Sequence, residues 1–344
     1  MFDGEELLEG SIKSIRSNVD YVVVVYQKIS NFGDKCNPKL ESLLRKLVEE
    51  NLVDEMLLYQ PSNFSSAERK ELVSKSAPLS LQGANADTIG EQFFNELRKR
   101  ELGREKCAQN GCTHFMSIDT DEFYLNEELA RVKQVVEEKD YDATACRMRL
   151  FVKKPTWEFF PYDNINAVPL ICKISKHSPF RLAAPFQLEV DPTRRIENIQ
   201  NFCFFDRSLI EMSVVFFFFG ITTLLFSVFS VVFRYHFTLV RIDIRKKVSN
   251  VSNKANYEDV KNFVDKFEDW KIDYGVLHPH PLIGAQFTQL IQVPNYFKID
   301  LDSICVLCYK QASKRCLQCK SVRYCSKECQ QEHWPLHKQS CTKK

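Results

Sequence analysis

The chain has 344 residues, with 47 Lys and Arg against 45 Asp and Glu and a formal net charge of +2. So small an excess excludes a global field that recruits nucleic acid or anionic lipid, and leaves only local patches for such contacts. With 44% hydrophobic residues and a mean hydropathy of −0.29, the length allows one large domain with a substantial core and a small one beside it. The opening MFDGEELLEGSIKSIRSN is acidic and then amphipathic, without a basic stretch leading into an apolar one, so no secretory signal is expected. Six cysteines (Cys36, Cys107, Cys112, Cys146, Cys172, Cys203) are scattered, and seven of the 13 crowd into Cys305–Cys341. Free thiols in a reducing compartment, with one metal module, suit that distribution, and the expected location is the cytosol or nucleus.

Along the chain, Leu8, Ile12 and Ile15 recur at helical spacing and predict a short amphipathic helix over Leu8–Arg16. DYVVVVYQ, Asp20–Gln27, is a continuous β-branched run of the kind buried on both faces of a sheet. Pro38–Leu52 reads as a helix and Glu55–Gln60 as a strand; a Ser-, Asn- and Gly-rich loop follows over Pro61–Ala86. Thr88–Arg104 predicts a long helix and His114–Ile118 a short strand. The alternation predicts an α/β fold with a mostly parallel sheet flanked by helices, its ligands lying beyond the carboxyl ends of the strands. At that place stands Asp119-Thr-Asp121-Glu122. Two carboxylates at i and i+2 can both reach one hard cation, Mg²⁺ or Mn²⁺, and through it a diphosphate. Alone, such a pair reads as a solvated acidic turn. Directly after the apolar THFMSI and before Phe123–Tyr124 it reads as a ligand site.

VDYVVVVYQKISNFGDKCNP, CTHFMSIDTDEFY and, further on, FDRSLIEM resemble nucleotide-sugar glycosyltransferases of the GT-A fold, in the family-2-like group, from about Gly10 to Asp300. The resemblance implies a GT-A-like domain over residues 1–300 that transfers a sugar from a nucleotide-sugar. It implies Asp119 and Asp121 as ligands of a divalent metal, Mn or Mg, which neutralises the leaving diphosphate. A histidine near the end of a later strand often completes the set in such enzymes. His236 in RYHFTLVR fits best and His280 second, with an ordinary strand histidine as the alternative for His236. No catalytic base is assigned. Two departures stand against an intact enzyme. The first strand and nucleotide-base loop of that fold would precede the Leu8–Arg16 helix, and the chain begins too late to hold them. The second departure is an apolar interruption.

Ser213–Phe233, SVVFFFFGITTLLFSVFSVVF, is 21 residues without a charge, lying between a predicted strand that ends at Asp206 and another that begins near Tyr235. Three readings are open. The run is long enough for a single membrane pass, and Arg234, Arg241, Arg245, Lys246 and Lys247 after it would place its C-terminal side in the cytosol. That topology would divide one sheet between two compartments. As a buried strand pair or helix it must accommodate four consecutive phenylalanines. The third reading is a retained intron translated in frame: removing Ser213–Arg234 leaves EMYHFTLVR, a continuous strand. Beyond it, Asn256–Lys271 predicts a helix with Val260, Phe263, Phe267 and Trp270 on a core face. LHPHPLIGAQF and QVPNYFKID then close the large domain near Leu301.

The tail reads CVLCYKQASKRCLQCKSVRYCSKECQQEHWPLHKQSC. Cys305-x2-Cys308, Cys316-x2-Cys319, Cys325-x3-Cys329 and His337-x3-Cys341 supply enough S and N donors for two tetrahedral zinc ions. Neither ion keeps an open position, so both are structural rather than catalytic. Few apolar residues lie between the ligands, so metal must supply the folding energy, about 10–16 kcal/mol per zinc. The paired CxxC motifs, the RYC triplet at Arg323–Cys325, the CxxxCQ step, Trp334 and the closing HxxxC resemble the MYND zinc finger over residues 305–341. That resemblance implies interleaved sites: Cys305, Cys308, Cys325 and Cys329 on one zinc, Cys316, Cys319, His337 and Cys341 on the other. It selects His337 over His333, which is expected to be exposed. It further implies a groove beside the last helix, lined by Gln330 and Trp334, for proline-containing peptides of partner proteins. Packing of a tiny core is the alternative role for Trp334. The irregular basic residues of the tail (Lys314, Arg315, Lys320, Arg323, Lys327, Lys338, Lys343, Lys344) read as a solvated face, not a nucleic-acid patch. The sequence thus predicts a glycosyltransferase-like domain, active or degraded, ahead of a finger, or a non-catalytic adaptor built on the same two parts.

Overall fold

The computed structural model describes residues 1–160, 167–206, 232–251, 260–270, 289–338 and 341. Helix α1 (Glu5–Ile15) starts with Glu5 and Glu6, whose charge suits the positive end of the helix, and buries Leu8, Ile12 and Ile15. Gly4 ahead of it holds φ +86°, with Thr120 and Arg241 where a Cβ would stand, so a side chain is excluded on both counts. Strand β1 (Val23–Tyr26) leads to α2 (Leu40–Glu49). Leu40, Leu44 and Leu47, spaced to share one face of that helix, are buried against α1 and β1. Strand β2 (Glu55–Leu58) pairs parallel with β1, from Val23 opposite Glu55 to Tyr26 opposite Leu58. The expected loop over 61–86 contains a helix, α3 (Ser66–Leu72), because Ser65 and Glu68 form a reciprocal capping box. Helix α4 (Glu91–Gln109) starts and ends later than the predicted Thr88–Arg104.

The remaining strands of the body are β3 (His114–Phe115), β4 (Glu122–Phe123), β5 (Ala143–Val152), β6 (Trp157–Phe160), β7 (Ala167–Lys173), β8 (Phe202–Phe205), β9 (Phe233–Leu239) and β10 (Gln289–Gln292), with α5 (Asn126–Lys139) between β4 and β5. β5 is central and largely buried. β7 and then β6 run antiparallel to it, with β3 paired beyond β7 and β10 beyond β6. β8 and then β9 run parallel to it, and β4 pairs antiparallel with β9. The mostly parallel sheet expected from the sequence is therefore a mixed one in which antiparallel pairs predominate. The connections are the reason: only Lys153–Thr156 separate β5 from β6, too short for the crossover that a parallel pair requires. The topology does not establish a GT-A fold.

β8 and β9 lie end to end along β5: Phe205 is opposite Cys146 and Phe233 is opposite Arg147. Val232, Phe233 and Arg234 are buried. Arg234, which the expected insertion included, donates to the Glu122 carboxylate at 2.9 Å, to the Pro169 carbonyl at 2.7 Å and to the Tyr124 hydroxyl. A buried guanidinium needs such partners, so Arg234 belongs to the fold and corrects that boundary. Residues 213–231 lie outside the described residues, and the choice among the readings of the apolar run lies there with them. No helix among the described residues is long and apolar enough to cross a membrane. Helices α6 (Ile244–Ser249) and α7 (Val260–Asp269) follow, and Phe263, Phe267 and Trp270 of the predicted stripe are buried beside Leu150, Val152 and Leu239. Tyr296, Phe297, Ile299 and Leu301 then pack on Phe123, Tyr235 and Phe237, and a separate core begins at Cys305.

Candidate metal centre

In the tail each CxxC is a tight turn. The N–H of Tyr309 donates to the Cys305 carbonyl and that of Lys320 to the Cys316 carbonyl, both at 2.9 Å. The closing residues adopt the left-handed conformation, Tyr309 at φ +59° and Lys320 at +56°. Strands β11 (Lys314–Arg315) and β12 (Arg323–Tyr324) pair as a small antiparallel hairpin ahead of Cys325. Helix α8 (Lys327–His337) is capped by Ser326, whose Oγ accepts from the Cys329 N–H at 3.2 Å. Cys329 therefore sits in its first turn and His337 in its last.

Two quartets result, Cys305, Cys308, Cys325 and Cys329, and Cys316, Cys319, His337 and Cys341, the ligand atoms of each lying within 4.8 Å of one another. Sulfurs around a tetrahedral zinc with Zn–S of about 2.3 Å stand about 3.7 Å apart. Here Cys308 Sγ–Cys325 Sγ is 3.3 Å, Cys325 Sγ–Cys329 Sγ 3.5 Å, Cys316 Sγ–Cys341 Sγ 3.7 Å and Cys319 Sγ–His337 Nε2 3.4 Å. Donor type, number and spacing fit two zinc ions, each with all four positions taken by protein. Burial lowers the pKa of His337 and favours the neutral imidazole that ligates metal. His333 is not exposed as expected. It is half-buried, stacks on His337 at 5.7 Å between centroids, and its Nδ1 lies 3.0 Å from the Tyr324 hydroxyl, outside both quartets.

The same helix displays Trp334, 42% exposed, and Leu336, 62% exposed, with Gln330 half-buried one turn before the tryptophan. The finger rests on the body through contacts that the sequence did not suggest. Asn37 Nδ2 donates to the Leu307 carbonyl at 3.2 Å and to the Tyr309 hydroxyl at 2.8 Å, and Lys39 pairs with Glu332 at 2.8 Å.

Asp119 and Asp121, between β3 and β4, line a cavity of about 1,100 Å³. Asp121 is buried, 2.5 Å from Arg241 Nη2 and 3.1 Å from Lys247 Nζ, and 3.6 Å from His236 Nε2. Asp119, with its side chain 46% exposed, meets Arg194 at 2.5 Å and Arg100 at 3.4 Å. Glu122 bridges Arg194 and Arg234 at 2.8 and 2.9 Å. Burial pushes the Asp121 carboxyl up, but Lys247, Arg241 and His236 outweigh it and hold the group well below the usual carboxylate range. Asp119 is held down in the same way by Arg194 and Arg100. The structure brings His236 within 3.6 Å of Asp121, while His280 lies outside the described residues. The cations were not anticipated. The only sequence signal for them was that buried acids demand compensation, and chain distance hides which residues supply it.

Residues 305–341 match the family model described as the MYND finger. The chain is 48% identical over 44 residues to the zinc finger MYND domain-containing protein 10 homolog of Drosophila melanogaster, covering 13% of this chain and 10% of that protein. It is 51% identical over 39 residues to ubiquitin carboxyl-terminal hydrolase 15 of Arabidopsis thaliana, covering 11% and 4%. Dauer abnormal formation protein 25 of Caenorhabditis elegans is 51% identical over 39 residues, covering 11% and 10%. The chain therefore spans a tenth or less of the length of these curated relatives. No solved structure matches it. Ligand geometry and family match agree that residues 305–341 are a MYND zinc finger.

Proposed function

We propose that the protein is a non-catalytic adaptor whose finger docks proline-containing peptides of partner proteins on the Gln330–Trp334 face of α8, with the α/β body as its scaffold. The observation that carries this is the exposed Trp334 ring beside two coordinatively closed zinc sites. A flat aromatic next to a polar anchor suits an extended proline-rich ligand, and closed zinc sites leave the finger binding as its chemistry. The test is fluorescence polarisation with a labelled proline-containing peptide. Trp334→Ala should weaken binding about tenfold or more while zinc content is unchanged. Equal affinity of the two proteins overturns the reading.

A second reading, metal-assisted sugar transfer from a nucleotide-sugar, is supported by Asp119 and Asp121 lining the cavity, with His236 3.6 Å from Asp121. Against it, a divalent Mn or Mg ion would have to displace Arg241 and Lys247 from Asp121. Mn²⁺-dependent hydrolysis of nucleotide-sugars that is lost in Asp119→Asn would favour it over the adaptor.

A further inference from the structure

Three of the tail's basic residues, which the sequence reads as part of a solvated face, converge on one pocket. Arg315, Lys320 and Arg323 line a cavity of about 250 Å³ where the hairpin of β11 and β12 meets the body, with Ile242 and Leu301 among its apolar walls. Asp302 is the acid that lines it. No described residue of α8 does, so the pocket is separate from the Gln330–Trp334 face.

The hairpin sets two of these cations side by side. Arg315 stands directly opposite Arg323, and residues so paired put their side chains on the same face of the ladder. The Cys316 N–H donates to the Val322 carbonyl at 3.0 Å, which makes that neighbouring pair a hydrogen-bonded one. The Arg323 carbonyl turns the other way and accepts from the Val306 N–H at 3.0 Å. Arg315 and Arg323 are therefore a non-hydrogen-bonded pair, in which Cα atoms stand only about 4.5 Å apart and side chains are closest. Like charges in that relation destabilise a ladder. Neither guanidinium has a hydrogen bond or ion pair among the described residues, and neither has the Lys320 ammonium.

Charge and size decide what fits. Three cations against one acid leave two positive charges. A phosphomonoester, at about −1.5 to −2 near neutral pH, balances them, and a single carboxylate does not. The cavity is smaller than the ~300–1,000 Å³ of small-molecule sites and takes one such group rather than a whole nucleotide. A nucleic-acid strand needs a groove of cations that tracks its backbone, whereas these converge on one point. We infer that the pocket binds one phosphorylated side chain, phosphoserine or phosphothreonine, of a partner protein. Arg315 and Arg323 hold its oxygens through their paired N–H donors, Lys320 supplies the third charge, and the anion relieves the repulsion between the two guanidiniums. The alternative role, neutralising the net negative charge of thiolate-bound zinc, requires the same cations to support metal binding. The inference is independent of what the Trp334 face binds.

The test titrates the zinc-loaded full chain into a fluorescein-labelled Gly-Ala-phosphoserine-Ala-Gly peptide and, separately, into its unphosphorylated form. The phosphorylated peptide should bind about tenfold tighter or more. Arg315→Gln and Arg323→Gln should each remove most of that difference with zinc content unchanged, and Trp334→Ala should keep it. Arg323→Gln, which ends the like-charge contact, should leave the Tm in phosphate-free buffer the same or higher. Equal binding of the two peptides, or none, overturns the inference. So does a loss of zinc or a lower Tm in Arg323→Gln, which would make the arginine a support of the metal site. Inorganic phosphate or a short oligothymidylate that binds as tightly as the phosphopeptide would overturn it as well, by naming a different ligand.

Discussion

Glu122 holds two guanidiniums at once in the interior, and its removal leaves Arg194 and Arg234 buried with fewer counter-charges. Glu122→Gln is expected to cost about 3–5 kcal/mol, measurable by urea unfolding, as breaking a buried ion pair usually does. At this scale the sequence was informative wherever chemistry is local. Eight ligands at zinc spacing showed themselves, and Asp119 and Asp121 were visible as a pair. Arg241 and Lys247, far along the chain from Asp121, became its partners only through the folding of β9 and α6 against it.

β8 and β9 approach β5 as two halves of one strand line, with Phe205 and Phe233 opposite the adjacent residues Cys146 and Arg147. A short connection suffices between ends so placed. Deleting residues 213–231 should therefore leave the fold intact, with stability changed by about 1 kcal/mol, since loop-closure free energy varies by only about 0.6 kcal/mol per doubling of length. Circular dichroism and the zinc content of the deleted chain check this; a chain that no longer folds contradicts it. The helices α1, α2 and α4 and the strands β1 and β2 were legible from apolar periodicity and β-branched runs. The course of the sheet was not. ATACRMRLFV, which forms β5, carries no mark of its two antiparallel and two parallel partners. Pairing between distant strands is a tertiary choice, and the parallel βα rhythm of the first sixty residues was extended past the point where short connections forbid it.

The whole molecule combines a body held by apolar clusters around a mixed sheet with a finger whose order depends on metal. Stripping zinc should melt residues 305–341, because about 10–16 kcal/mol of folding energy per site goes with it, while the sheet of the body persists. The Asn37 and Lys39 contacts would be lost with the finger, and Lys39→Ala alone should change stability by less than about 1 kcal/mol, as exposed ion pairs do. The finger was the most legible part because its fold is written in ligand spacing rather than in packing. Its left-handed turn residues, Tyr309 and Lys320, the burial of His333 and the contacts with Asn37 and Lys39 escaped the sequence. Native mass spectrometry of the full chain tests the two-site finger most directly. The account predicts two zinc ions per chain and one in His337→Ala, the ion in the Cys305, Cys308, Cys325 and Cys329 site being retained. A full chain that carries no zinc or a single ion, or a His337→Ala chain that still carries two, would contradict it.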